Sequence, residues 1–358
     1  MGLFNLFSKS LVGVDLGSSA IKIIRGKISG KHFEIEDLFA SPLPDGCISD
    51  RGIEDVSTVV GHLQSALDAL KLKKPKVGTA IKGAGVLTKR IMMPKVPKKE
   101  IPQQVRWEAE QVFPMDMSNI LISHLLLGEG KNVPLAPPGT PGWDVLLVGV
   151  QRDEAINYRD VLSQAGTRIE VMDLDVFSSS DLIESVMKIS PKEVVATVDV
   201  GASGTRVGVR HRGNVVFVRE FEIGGRAFTD AIAQTLGLSF ADAEALKMTP
   251  DEGGIPQEAQ DALSGVLATW KSELQQCEDI FVTQSESQLI ERWVMHGGAS
   301  MTPGLEEVLQ DERFASKVQF IDPSAVFVSK SKSVDANVLA AWGPRLFAAA
   351  GLTTRGGK

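Results

Sequence analysis

Two short segments carry the same residue types in the same order. Asp15-Leu16-Gly17-Ser18-Ser19-Ala20-Ile21-Lys22 and Asp199-Val200-Gly201-Ala202-Ser203-Gly204-Thr205-Arg206 align without a gap: an acid, an apolar residue, a glycine, a small residue, a serine, then a basic residue seven positions after the acid. The pattern suits phosphate chemistry. A tight glycine turn lets the backbone approach an anion and aim N–H groups at it, and Gly17 and Gly201 remove side chains that would stand in the way. Ser18, Ser19, Ser203 and Thr205 add hydroxyl donors. Asp15 and Asp199 would repel a phosphate; they make sense as outer ligands of Mg²⁺, which keeps waters and shares phosphate oxygens. One copy alone reads equally as a hairpin whose Asp caps the turn. A second ungapped copy, 184 residues on, argues against that reading.

The flanking elements must hold these turns. Each copy follows a β-branched segment (11–14; 194–198) and continues as a second strand, a glycine turn (Gly30; Gly213-Asn214) and a third strand. A unit used twice predicts two related lobes facing one cleft. Short β-branched runs at 11–15, 21–28, 33–39 and 77–81 read as strands. Val56, Val59, Val60, Leu63, Leu67 and Leu70 recur at helical spacing, and 102–113 repeats this with Val105, Ala109 and Val112. Strands at 121–127 and 145–150 flank 128–143, whose prolines 134, 137, 138 and 141 predict a long exposed hairpin loop. Further helices are expected at 152–165, 177–189, 228–236, 265–280, 305–310 and 338–350, with a turn-rich interruption at 249–256. The fold class is mixed α/β.

Composition narrows the function. The 38 Lys and Arg against 45 Asp and Glu give a formal charge of −7, which disfavours a general nucleic-acid binder. Cys47 and Cys277 make no disulfide framework and fit a reducing compartment. No run reaches the ~18–20 apolar residues of a membrane helix. The opening segment with Leu3, Phe4, Leu6 and Phe7 fits neither a signal peptide nor a myristoylation site and reads as docking on its own domain. The expectation is a soluble cytoplasmic protein. Glycine is in surplus, 34 of 358 residues against an average of ~7%.

On these motifs the chain resembles the actin-like ATPase superfamily, whose phosphate 1 and phosphate 2 turns the two copies match. Residues 295–305, with Gly297, Gly298, Ser300 and Met301, are similar to its adenosine motif, in which paired glycines let a flat base lie against the backbone. Residues 173–180 resemble its first connecting helix, with Asp175 at an acidic position. The water-positioning glutamine of actin has no counterpart, since Phe177 or Ser178 stands there; the resemblance therefore implies slow hydrolysis at most. Gly224-Gly225 and the Glu244/Lys247 pair resemble the entry to the second lobe of FtsA. In relatives such a pair reaches the ribose or purine; spacing alone allows a solvated ion pair equally. The resemblance thus implies ATP and Mg²⁺ as cofactors. It assigns Asp15, Asp175 and Asp199 to catalysis, Asp15 and Asp199 to the metal, and Gly17, Ser18, Ser19, Lys22, Gly201, Ser203, Gly204, Thr205, Gly224, Gly225, Glu244, Lys247, Gly297, Gly298, Ser300 and Met301 to the nucleotide.

Over essentially the whole chain the sequence is most similar to the PilM family of type IV pilus assembly proteins. The opening 3–22, Arg106-Trp107-Glu108-Ala109-Glu110-Gln111 and 173–177 carry this likeness. It implies an actin-like (ribonuclease H-like) two-lobed fold with an FtsA-type 1C subdomain: 1A from 1–83, 169–195 and 333–358; 1C from 84–168; 2A from 196–226 and 294–332; 2B from 227–293. It also implies a cytoplasmic scaffold, peripheral to the inner membrane through partners. Such a scaffold holds the N-terminal cytoplasmic tail of PilN in a groove between 1A and 1C, contacts other pilus proteins, and can form a homo-oligomer. Lys95, Lys98 and Lys99 would allow polar docking of a peptide or simply form a solvated face. The rival readings are a small-molecule kinase, for which Asp175 is the one nameable base, an FtsA-like filament protein of cell division, and the type II secretion counterpart.

Overall fold

The computed structural model describes residues 11–49, 51–83, 85–113, 116–248, 255–285, 288–331 and 334–357. The Leu3–Phe7 segment and most of the 249–256 interruption lie outside them. Two sheets dominate. The first has the order Arg168–Leu174, Lys76–Ile81, Val12–Leu16, Ala20–Ser29, His32–Pro42, Phe327–Ser329. The second repeats that order without the last strand: Val318–Phe320, Arg292–His296, Val195–Val200, Thr205–His211, Asn214–Phe221. In each, the first strand of the repeat runs antiparallel to the second and parallel to the strand on its other side. The central strands read as continuous apolar runs because both faces are covered, as in parallel sheets generally.

Sheet register explains the spacing of seven in the repeat. Asp15 is the cross-strand partner of Lys22, and Asp199 of Arg206. Acid and base therefore face each other at the mouth of a tight turn, where opposite charges directly across a ladder attract.

A three-stranded sheet, Val86–Pro94, Pro141–Gln151 and Ile120–Lys131 in that order, forms the inserted unit. The helix Ile101–Val112 covers it, burying Ile101, Val105 and Ala109 against Met93, Trp143, Val145 and Leu147. In the second lobe the helix Gln257–Gln284 buries Ala259, Leu263, Leu267, Trp270, Leu274, Cys277 and Phe281, a stripe of helical period along its whole length. Each large side chain so buried contributes about 1.5–3 kcal/mol.

Several expectations need correction. The 128–143 loop is shorter, because the hairpin strands pair as far as Lys131 with Pro141; Pro141 is tolerated at the strand end, where its missing N–H costs no interior ladder bond. The helix expected at 265–280 starts at Gln257, and 305–310 holds only a 3₁₀ turn at Glu307–Leu309. The helix expected at 338–350 is broken into Ala336–Trp342 and Phe347–Thr353, because Pro344 cannot continue it. Phe327–Ser329, grouped above with the second lobe, pairs with His32–Pro42 in the first sheet. The helix Arg152–Gln164, grouped with 1C, packs Tyr158, Val161 and Leu162 into the first-lobe core beside Val59 and Leu63.

Candidate functional site

Both turns open into one cleft of about 580 Å³, at the carboxyl ends of the parallel strands, where ligands of such sheets usually bind. Asp15, Gly17, Ser18, Ser19 and Lys22 line it from the first lobe. Asp199, Gly201, Ser203, Gly225, Glu244, Lys247, Gly297 and Gly298 line it from the second. The Ser18 hydroxyl donates to Ser203 Oγ across the cleft at 3.2 Å, and Arg226 donates to Asp45 at 2.9 Å.

The amides of the two glycines are used inside their own turns. Gly17 N–H donates to Ala20 O and Gly201 N–H to Gly204 O, each at 3.0 Å. A Cβ on Gly17 would lie 2.8 Å from Lys22 Nζ and 2.9 Å from Ala20 O; on Gly201 it would lie 3.2 Å from Arg206 Nη1 and 2.9 Å from Gly204 O. Both glycines thus make room for the turn's own carbonyl and for the basic residue, and both line the cleft.

The acids differ sharply. Asp15 accepts Lys22 Nζ at 2.7 Å on one oxygen and Lys82 Nζ at 2.6 Å on the other. Burial alone would raise its pKa, but the attraction of the two lysines prevails and holds its carboxyl well below the usual range. Burial in turn lowers the pKa of Lys22. Asp199 lies 3.7 Å from Arg206 and 3.8 Å from His296, and its side chain is 19% exposed against 5% for Asp15. Gly297, at φ +95°, packs so closely on Asp199 that a Cβ would fall 2.3 Å from Oδ1.

Asp175 is not on the cleft lining. It is buried, 3.2 Å from Arg206 Nε, and burial raises its pKa to about 6 despite that guanidinium. Arg206 also reaches Glu220 at 3.1 Å, and Glu220 accepts the first-lobe Gly83 N–H at 3.2 Å. Lys247 is buried and donates to Gly225 O at 3.0 Å, to Thr229 Oγ1 at 2.6 Å and to Glu244 at 2.6 Å. Lys247 is thus an ordered, buried part of the cleft wall, while Glu244 keeps 38% of its side chain exposed.

Five further expected residues also sit off the lining. Thr205 is buried; its hydroxyl donates to Ile223 O at 2.7 Å and accepts Trp270 Nε1 at 2.9 Å, which makes it a core contact. Gly204 and Gly224 pack against Phe221 O and Gly201 O respectively. Ser300 Oγ donates to Gly297 O at 2.8 Å, closing its own turn, and Met301 is 43% exposed. Conversely, Lys82, Arg206, Arg226, Phe240, His296 and Arg345 line the cleft and were not assigned to it from sequence. Position at the carboxyl end of a parallel strand is a signal that would have found Lys82; Arg206 was visible in the repeat itself.

A larger cavity of about 760 Å³ lies against the helix Asp175–Met187. Its walls are two sheet edges, Leu121 to Leu125 from Ile120–Lys131 and Val171 to Leu174 from Arg168–Leu174. Phe177, Asp181, Glu184, Arg210 and Arg355 complete it, with Arg355 bonded to Asp173 at 2.6 Å and paired with Asp181.

Duplicate sheets around one cleft with paired glycine turns define an actin-like ATPase fold. The chain belongs to the PilM family: the family model described as type IV pilus assembly protein PilM matches residues 13–357. Among solved structures, the PilM-PilN type IV pilus biogenesis complex superposes with a TM-score of 0.83 at 24% identity, over 98% of this chain and all of that one. MreB 5 of Spiroplasma citri bound to AMPPNP gives a TM-score of 0.51 at 10% identity, over 94% and 95% of the two chains. The cell division protein FtsA of Staphylococcus epidermidis is 27% identical over 208 residues, 52% of this chain and 44% of that protein; the chain thus matches less than half the length of this curated relative.

Proposed function

We propose that the protein is an actin-like scaffold of the type IV pilus machinery with two ligands: an adenine nucleotide with Mg²⁺ in the cleft, and the extended N-terminal tail of PilN in the larger groove. The observation that carries the partner reading is that two outer sheet strands, Ile120–Lys131 and Arg168–Leu174, each unpaired on one side among the described residues, line that groove. An extended peptide adds to such edges through main-chain hydrogen bonds and places alternate side chains in pockets. Leu125, Val148, Val150 and Phe177 offer apolar pockets, and the Asp181/Arg210/Arg355 cluster a charged floor. The pairing of PilM with PilN in the similar PilM-PilN complex supports PilN as the occupant. No helix among the described residues is long and apolar enough to cross a membrane, which fits a peripheral position at the inner membrane held through such a partner.

The lining of the cleft suits a phosphorylated nucleotide. Lys22, Lys82 and Arg206, held by neighbouring carboxylates, stand where the turns meet, and Gly225, Gly297 and Gly298 line the cleft together with Glu244 and Lys247. Asp199 is the better candidate for an outer ligand of Mg²⁺, because both oxygens of Asp15 are taken by lysines. When bound, the metal would neutralise phosphate charge. The kinase reading has less support: its one candidate base, Asp175, faces Arg206 rather than the cleft.

The test is calorimetry with a synthetic PilN tail and with Mg-ATP. Leu125→Glu, which places a charge in the groove, should abolish tail binding and spare nucleotide; unchanged tail affinity would overturn the groove assignment.

A further inference from the structure

Six described residues other than glycine have positive φ, and four of them are basic: Lys71 at +54°, Lys74 at +45°, Lys188 at +54° and Arg212 at +54°. Each stands where another residue type is easier. Lys71 and Lys188 end the helices Val56–Ala69 and Asp175–Met187, at positions usually taken by glycine. Arg212 and Gly213 form the tight turn between Thr205–His211 and Asn214–Phe221, where asparagine or aspartate usually precedes the glycine. Lys74 precedes Pro75, which restricts it further. A Cβ makes the left-handed region costly, so these turns would form more easily without these side chains.

All four lie at the end of the two sheets away from the cleft. Asp15 and Asp199 sit near the carboxyl ends of Val12–Leu16 and Val195–Val200 and line the cleft, so the amino ends of these strands and of their parallel neighbours lie at the opposite end. Lys71, Lys73 and Lys74 occupy the loop that leads into Lys76–Ile81 there, and Pro75 O accepts Arg168 N–H at 2.9 Å. In the second lobe, Lys188 and Lys192 lie on the path into Val195–Val200, and Arg212 N–H donates to Pro191 O at 2.8 Å. Lys71, Lys73, Lys74, Lys188, Lys192 and Arg212 are exposed, and none makes an ion pair among the described residues. The carboxylates nearby are mostly engaged. Glu170 binds Lys76 and Arg168 at 3.1 Å each, Glu193 binds Arg292 at 2.8 Å, and Glu291 accepts Val194 N–H at 3.2 Å; Asp68 is an exposed acid among them. In a chain of net charge −7, this end carries an excess of cations.

The larger groove reaches this end. The strand that begins with Arg168 lines the groove from Val171 to Leu174, and Gly213 and Asn214, directly after Arg212, line it too. We propose that this end is a docking face for an anionic lipid bilayer, with Lys71, Lys73, Lys74, Lys188, Lys192 and Arg212 as the contacting charges. The choice of a bilayer rests on the groove reading given above, because a tail anchored in the membrane presents that surface to the mouth of the groove. Each cation near the negative cytoplasmic leaflet adds to such binding, and salt screens it.

The experiment is sedimentation of the full chain with vesicles of phosphatidylcholine alone or mixed with phosphatidylglycerol, at low and high salt. The chain should bind only the phosphatidylglycerol vesicles and should be released by salt. Lys71→Gln, Lys73→Gln and Lys74→Gln together should weaken binding by on the order of a hundredfold. A second set separates contact from fold. Lys71→Gly, Lys188→Gly and Arg212→Gly together should raise the unfolding temperature, since glycine adopts the left-handed region freely, yet weaken vesicle binding by a similar factor. Equal binding to both kinds of vesicle, or unchanged binding in either set, overturns the proposal. Binding to a DNA duplex without binding to vesicles also overturns it and gives the face to nucleic acid. Calorimetry with a synthetic PilN tail keeps the two readings apart. If the tail binds and the vesicles do not, the face falls and the groove stands; if the vesicles bind and the tail does not, the groove falls and the face stands.

Discussion

In the first lobe the turn's acid is clamped, with a lysine on each oxygen of Asp15; in the second the equivalent acid stands off from its neighbours and stays in touch with solvent. Sheet order, register and the turn hydrogen bond are the same in both. The difference comes from outside the repeat. The segment leaving the neighbouring parallel strand carries Lys82 in the first lobe and Gly297-Gly298 in the second, and Glu220 draws Arg206 away from Asp199. A duplicated geometry thus carries two electrostatic environments: Asp15 is held between two lysines, and Asp199 keeps part of its surface exposed to the cleft.

The largest effect should fall on stability at the clamped acid. Asp15→Asn leaves the buried Lys22 and the half-buried Lys82 without their counter-charge, which should cost about 3–5 kcal/mol in urea unfolding. Asp199→Asn should barely move that midpoint but should abolish Mg-ATP binding by calorimetry. A reversed pattern would break the comparison.

Opposite pH signatures should follow. Asp15 has a native pKa below its unfolded value, so its contribution is present above the ordinary carboxylate range and is lost as pH falls below it. Asp175 has a native pKa raised from 3.8 to about 6, chiefly by burial. The native state holds that proton more tightly, so this contribution is present below the unfolded pKa and lost as pH rises through about 6. Asp175→Asn should therefore flatten the unfolding free energy over this window by about 3 kcal/mol. A slope unchanged from the native protein would sink the assignment.

Much of this arrangement was written in the sequence. The acid-to-base spacing of seven encodes a cross-strand pair, and the duplication encodes two lobes, because register is a local property that a ungapped repeat must copy. Lys82 was hidden because it lies 67 residues from Asp15 and meets it only through strand adjacency. Arg345 was hidden by reading 338–350 as one helix across Pro344, whose break turns it into the cleft. Thr205 was misread because a hydroxyl in a phosphate-like motif looks the same whether it faces a ligand or Trp270.

That last distinction supplies the next test. Thr205→Val removes the acceptor of a buried indole N–H and should destabilise the protein by about 1–3 kcal/mol. Nucleotide affinity should remain native, since the hydroxyl does not face the cleft. A large loss of Mg-ATP affinity in a folded variant would return Thr205 to the nucleotide site.

The smallest effect should come from Ser18 and Ser203, where the two turns touch. Their part-buried hydrogen bond at 3.2 Å joins the lobes directly and should contribute about 0.5–1.5 kcal/mol. A double-mutant cycle with Ser18→Ala and Ser203→Ala isolates it, since each change alone already removes the bond. Without nucleotide the cycle should show a positive coupling of that size in the unfolding free energy. With Mg-ATP bound, both hydroxyls should turn to phosphate, and the coupling should fall toward zero while each single change weakens nucleotide affinity separately. Coupling that persists undiminished with nucleotide bound would mean that the serines bind each other rather than phosphate, and the turns would then meet as a hinge contact, not as two halves of one anion site.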